Sequence, residues 1–130
     1  MTRTLLLAAA IGAGLALTAC ERQIEALMDR GLCTQMVLKE GKAQFNTVSK
    51  NEPSLESCAA SLEGMRLRFL RLGGSMDTIT GAYQGQFLFL QREGVFTSQT
   101  YNGARFLLLV RTEDGRLAKL GAGPMSSSAP

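Results

Sequence analysis

The chain has 130 residues, of which 45% are hydrophobic and 19% are charged, and its formal net charge is +3. This composition is compatible with a folded domain that has a modest core, and it argues against a disordered chain. So small a charge gives no reason to expect a nucleic acid partner. The chain contains no histidine, which excludes Ser-His-Asp and Cys-His nucleophile activation and removes the commonest general base.

The first residues have the pattern of a secretory signal. Arg3 supplies a positive start, Leu5–Leu17 is a 13-residue apolar run, and small residues stand immediately before Cys20. The run is shorter than the about 20 residues that a membrane-spanning helix requires. We therefore expect a signal peptide rather than a transmembrane anchor.

Leu17-Thr18-Ala19-Cys20 resembles the lipobox of bacterial lipoproteins, in which an aliphatic residue, a small residue and Ala or Gly precede the Cys. The resemblance implies that the Cys20 thiol carries a diacylglycerol, that residues 1–19 are cleaved, and that the new amine is acylated. Two or more acyl chains give a durable membrane anchor. Glu21 stands where Asp retains enteric lipoproteins in the inner membrane, which favours the periplasmic face of the outer membrane. The alternative is an ordinary signal peptide with a chance cysteine.

Removal of residues 1–19 leaves 111 residues with a formal side-chain charge of +2 and two cysteines besides Cys20. Because the exported chain folds in an oxidising compartment, we predict a Cys33–Cys58 disulfide. Two buried thiols or a metal pair are the alternatives. A metal is disfavoured because no His and no CxxC pair completes a tetrahedral site, so we expect no metal and no cofactor.

Helical patterns come first in the mature chain. Residues 21–33 have apolar residues at helical spacing and predict a short amphipathic helix. Residues 34–50 are ambiguous, since Lys39-Glu40-Gly41-Lys42 fits either a hairpin turn or a break between helices, and we favour helix for their first part. A longer helix is predicted over residues 54–72, stopped by Gly73-Gly74. Its apolar stripe consists of Leu55, Cys58, Ala59, Leu62, Phe69 and Leu72.

Strand patterns follow from Ile79 onward, separated by turn sequences that contain glycine. Residues 121–130 are rich in Gly, Ser and Pro, and we expect a disordered tail. The fold class is therefore α+β over residues 20–120, with N-terminal helices packed on a three- to four-stranded antiparallel meander. The predicted strands are Ala82–Gln91, Val95–Tyr101, Ala104–Arg111 and Arg116–Leu120.

Two of these strands are apolar at successive positions, in Phe87–Leu90 and in Phe106–Val110. A sheet with one solvated face alternates apolar and polar residues, so both faces of this sheet need cover. The cover is either the chain itself, through the N-terminal helix or residues 34–50, or a partner protein or second copy.

The remaining candidate site residues each have a structural explanation beside the functional one. The acidic pairs fit a helix start and a hairpin tip as well as acid/base chemistry. The arginines either contact anionic headgroups or complement the helix dipole, and the aromatic residues either face a ligand or pack in the sheet. These residues are Glu52 with Glu56, Glu113 with Asp114, the cluster Arg66, Arg68 and Arg71, and the aromatics Tyr83, Phe96 and Tyr101.

These observations predict a lipid-anchored cell-envelope protein without enzymatic activity. We expect a structural or accessory role in which it binds another envelope protein or a second copy of itself. The alternative is a periplasmic inhibitor or immunity lipoprotein that neutralises a toxin or a wall hydrolase. A carboxylate enzyme is a third, less favoured class, because no catalytic motif such as S-x-x-K or G-x-S-x-G is present.

Overall fold

The computed structural model describes residues 23–74 and 78–120. Within them, one α-helix lies on a seven-stranded antiparallel sheet with strand order β2-β1-β3-β4-β5-β6-β7. The predicted helix-on-sheet arrangement is therefore confirmed, whereas the predicted N-terminal helices and the three- to four-strand count are wrong. The elements are β1 Cys33–Lys39, β2 Lys42–Ser49, α1 Leu55–Arg71, β3 Ile79–Tyr83, β4 Gln86–Leu90, β5 Gly94–Ser98, β6 Phe106–Arg111 and β7 Leu117–Lys119.

The chain before α1 is extended rather than helical. Residues 23–29 form neither helix nor strand, and Ile24 and Ala26 are less exposed than Gln23 and Glu25, a period-two alternation. The helical spacing of the apolar residues there was coincidental.

Residues 34–50 form the β1–β2 hairpin, so the helix favoured for their first part is wrong. Glu40 and Gly41 both have positive φ, 53° and 75°, as in the type I′ turns that close two-residue hairpins. Pairing of β1 with both β2 and β3 overrides the weak local preference.

The predicted strand Ala82–Gln91 is two strands. Gln84 and Gly85 turn the chain with φ values of 44° and 82°, so that Tyr83 pairs with Gln86. A Gln-Gly dipeptide is a weaker hairpin signal than Asn-Gly or Asp-Gly, and the apolar residues on both sides concealed it.

Helix α1 confirms the predicted 54–72 helix. Ser54 is its N-cap, and the Ser54 hydroxyl accepts a hydrogen bond of 3.1 Å from the backbone N–H of Ser57. Leu62 is fully buried, but Phe69 and Leu72, which the stripe placed in the core, are 41% and 86% exposed. The 17-residue helix is about 25 Å long, whereas five-residue β3 and β4 are about 17 Å long. Its last turns therefore extend past the strands.

Each face of the sheet carries one apolar cluster. On the α1 face, helix residues pack with the disulfide and the strands, and the members include Ala59, Leu62, Ile79, Leu88, Leu90, Val95 and Leu109. On the second face, the chain covers the sheet with its extended N-terminal segment and with the β5–β6 loop. The members there are Ile24, Ala26, Met36, Ala43, Phe45, Ala82, Phe87, Phe89, Phe96 and Tyr101.

The strand register defines two ends of the sheet. Cys33 pairs with Tyr83, and Phe87 pairs with Ser98, so the start of β1, the β3–β4 turn and the β5–β6 loop share one end. We call this the near end, because the described chain starts beside it. The opposite end, which holds the β1–β2 turn, the β6–β7 turn and the C-terminus of α1, is the far end.

Candidate interaction surface

The predicted Cys33–Cys58 disulfide is confirmed. Both cysteines are fully buried, and their Cα atoms are 5.4 Å apart. The bond ties the first residue of β1 to the first turns of α1 at the near end. The lipobox, Cys20 and Glu21 lie outside the described residues, as does the tail 121–130.

A carboxylate with two arginine partners joins α1 to the far end of the sheet. Glu63 lies in α1 with its side chain 11% exposed, and an Oε1 atom of Glu63 is 2.7 Å from both Arg66 and Arg111. Burial by itself raises the pKa of Glu63, but the hydrogen bonds and charges of Arg66 and Arg111 outweigh it and lower the pKa to about 2. Glu63 is therefore ionised and fully engaged, which suits a structural role better than proton transfer.

A second carboxylate, Glu52, organises the loop before α1. The Glu52 side chain accepts hydrogen bonds from the hydroxyls of Ser49 at 2.6 Å, of Ser61 at 2.5 Å and of Ser57. These hydrogen bonds, from Ser49 first, lower the pKa of Glu52. Glu56 is not among these hydrogen-bond partners of Glu52, so the two glutamates that the sequence suggested as a pair do not form a carboxylate dyad.

The other sequence candidates separate into packed and exposed residues. Tyr83 is buried, and its hydroxyl donates a hydrogen bond of 2.6 Å to the Glu52 carbonyl. Phe96 and Tyr101 pack in the second-face cluster, which supports the sheet-packing interpretation. Arg68 and Arg71 are exposed in the last turn of α1. Glu113 and Asp114 are exposed in the β6–β7 turn.

The sequence patterns did not reveal that several large apolar side chains are exposed at the ends of the sheet. At the far end, the helix overhang leaves Leu67, Leu70 and Leu72 exposed by 42%, 37% and 86%, with Arg68 and Arg71 between them. We call these five residues the helix-end surface.

A groove lies beside this surface, between α1 and the β6–β7 turn. It has a volume of about 480 Å³ and is lined by Ala60, Gly64 and Leu67 on the helix and by Arg116 and Leu117 across from it. Apolar side chains of this size, exposed together with basic residues, are typical of a surface that binds another protein.

The near end carries a second exposed apolar group. Phe106 is 67% exposed, Met28 76% and Leu107 37%. Phe106 and Leu107 begin β6, and Met28 lies over Gly85 in the β3–β4 turn. We call these three residues the near-end surface.

Comparison with protein-family models, with curated proteins and with solved structures finds no match for this chain. Among residues 23–74 and 78–120, no helix is long and apolar enough to cross a membrane. The same described residues contain no group of three or more His, Cys, Asp or Glu side chains arranged to hold a metal ion.

Proposed function

We propose that this protein is a lipid-anchored cell-envelope lipoprotein that binds another envelope protein in a non-enzymatic, structural or accessory role. Cys20 carries the anchor, and the periplasmic face of the outer membrane is its site. The support for the anchor is the lipobox at Leu17-Thr18-Ala19-Cys20.

The observation that carries the binding role is the helix-end surface. Exposed leucines at the end of a helix do not stabilise the fold, because a leucine side chain contributes about 1.5–3 kcal/mol only when it is buried. Leu67 lines the groove together with Leu117, and Leu70 lies about one helical turn further along the same side of α1. Arg68 and Arg71 flank them, which favours a partner surface with an apolar centre and an acidic rim.

The second face of the sheet gives no separate argument for a partner. Ala26, Phe87 and Phe89 are buried there by the chain itself. The binding role therefore rests on the helix-end surface and not on the faces of the sheet.

The test is a crosslinked pull-down of the full-length, acylated protein from native membranes, with a tag after Pro130. The variant is Leu67→Ser with Leu70→Ser, and the matched control is Leu38→Ser, an exposed apolar residue of β1 outside both surfaces. We expect one stoichiometric partner with the native protein and with Leu38→Ser, and its loss with the double variant. A Cys20→Ser protein shows whether capture depends on the anchor.

Other outcomes would contradict the proposal. Recovery of the protein alone, as a monomer, removes the binding role. Equal recovery of the partner with the double variant removes the helix-end surface as its site. A captured soluble toxin or wall hydrolase, in place of an envelope component, supports the inhibitor alternative instead.

A further inference from the structure

We infer that the near-end surface lies in the membrane interface, so that the lipid anchor holds the domain in one orientation with the helix-end surface facing away from the bilayer. This inference rests on the proposed lipidation of Cys20. Its occupant is the lipid bilayer itself, which meets the protein at Met28, Phe106 and Leu107.

The length of the tether carries the first step. Cys20 is three residues before Gln23, the first described residue, and three residues of extended chain reach at most about 11 Å. The acylated residue must therefore lie within that distance of Gln23, whatever path the chain takes. A domain tethered so closely cannot move its attachment point far from the bilayer surface.

The position of Gln23 carries the second step. Gln23 and Ile24 line a small pocket together with the β5–β6 loop residues Thr100–Gly103, at the near end. Ile24 also packs in the second-face cluster with Tyr101, which fixes the N-terminal segment against the loop. The short tether therefore brings the β5–β6 loop, and not the helix end, to the membrane.

The side chains at that end suit an interface. Phe106 follows the β5–β6 loop directly, and its ring is 67% exposed. Arg105, its neighbour in the chain, is exposed, and its guanidinium lies 3.6 Å from the centre of the Phe89 ring on the second face. Apolar residues that enter the headgroup region with basic residues beside them stabilise peripheral attachment.

Helix α1 separates the two ends of the sheet. α1 runs from Leu55, close to the disulfide at the near end, to Arg71 at the far end. Its length of about 25 Å exceeds the reach of the tether from Cys20 to Gln23. The helix-end surface lies at the opposite end of α1 from the near end, so it faces away from the bilayer when the near end rests on it.

The experiment uses fluorescence, because the chain contains no tryptophan. Two single-tryptophan variants of the acylated full-length protein, Phe106→Trp and Leu70→Trp, are reconstituted into phosphatidylethanolamine–phosphatidylglycerol vesicles with brominated acyl chains. Both positions are exposed apolar residues, so neither substitution disturbs the core. We expect the Phe106→Trp emission to shift to the blue and to fall about twofold, as a side chain at the acyl boundary should. Leu70→Trp should keep the emission it has without brominated lipid.

Two readouts separate this inference from the proposed function. Flotation of the native protein with vesicles reports the anchor, and failure to float overturns the lipidation and the orientation together. Flotation with an unquenched Phe106→Trp, or with equal quenching of both variants, leaves the anchor in place and overturns the orientation. A circular dichroism spectrum of each variant confirms that the fold is retained.

Discussion

The native protein should become more stable as the pH rises from 2 to 5, and Glu63→Gln should remove most of this increase. The pKa of Glu63 falls from 4.5 to about 2 in the folded chain, because Arg66 and Arg111 hold its ionised form. That difference of about 2.5 pH units, at about 1.4 kcal/mol per unit, corresponds to about 3 kcal/mol of folding free energy. The size agrees with the cost of about 3–5 kcal/mol for removing one partner of a buried ion pair.

The sign of the pH dependence follows from the direction of the change. Because the folded pKa of Glu63 is below its unfolded value of 4.5, the stabilisation is complete above that value and disappears as the pH falls towards 2. The native protein should therefore exceed Glu63→Gln by about 3 kcal/mol at pH 7 and by well under 1 kcal/mol at pH 2. The amide side chain has the same shape but cannot carry the charge.

The assay is urea unfolding of the disulfide-bonded protein, followed by circular dichroism at pH 7, 4, 3 and 2. The matched control is Glu113→Gln, the same substitution at an exposed position of the β6–β7 turn, which should follow the native protein throughout. Parallel curves for the native protein and Glu63→Gln across this range would refute the ion-pair argument. So would an equal effect of Glu113→Gln.

Two further predictions concern the packing between α1 and the sheet. Replacing both Cys33 and Cys58 with serine should lower the free energy of unfolding by about 3–4 kcal/mol, because the disulfide closes a loop with a sequence separation of 25. Urea unfolding measures this loss, and a loss below about 1 kcal/mol would contradict a stabilising role for the bond at the near end. Gly81→Ala should destabilise the protein by about 1–3 kcal/mol, because a Cβ there overlaps the Leu62 side chain and comes within 3.0 Å of the Thr34 carbonyl oxygen. Gly64→Ala should instead stabilise it by up to about 1 kcal/mol, because this helix position has open space around it. Thermal unfolding distinguishes these opposite signs, and a matching sign at both glycines would contradict the packing described for β3.

The sequence predicted best those features that local signals specify. Pro53 and Ser54 mark the start of α1, and the elimination of Cys20 left one pairing for Cys33 and Cys58. The β1–β2 hairpin was one of two alternatives and was not favoured, because its turn, Glu40-Gly41, lacks the strongest dipeptide signal and its strands alternate only weakly. One prediction was that the N-terminal segment covers the second face as a helix. The segment around Ala26 does cover that face, but in an extended conformation.

The residues of the candidate site depend on geometry that no local pattern contains. Glu63 and Arg111 are 48 positions apart, and they meet only because α1 packs against the sheet. In the same way, Phe69 and Leu72 fit the apolar stripe of α1, yet they are exposed because the strands end before the helix does. Helix periodicity gives the direction of a side chain but not the extent of the sheet beneath it.

The two proposed surfaces lie at opposite ends of α1, so the position of this helix sets the distance between them. The disulfide at Cys58 joins the start of the helix to the near end, and Glu63 joins its middle to Arg111. These two contacts position the helix, about 25 Å long, that carries Leu67 and Leu70 towards its C-terminal end. Loss of the Glu63 pair should then weaken partner capture even in a protein that stays folded and anchored, because the helix end would no longer be held in place.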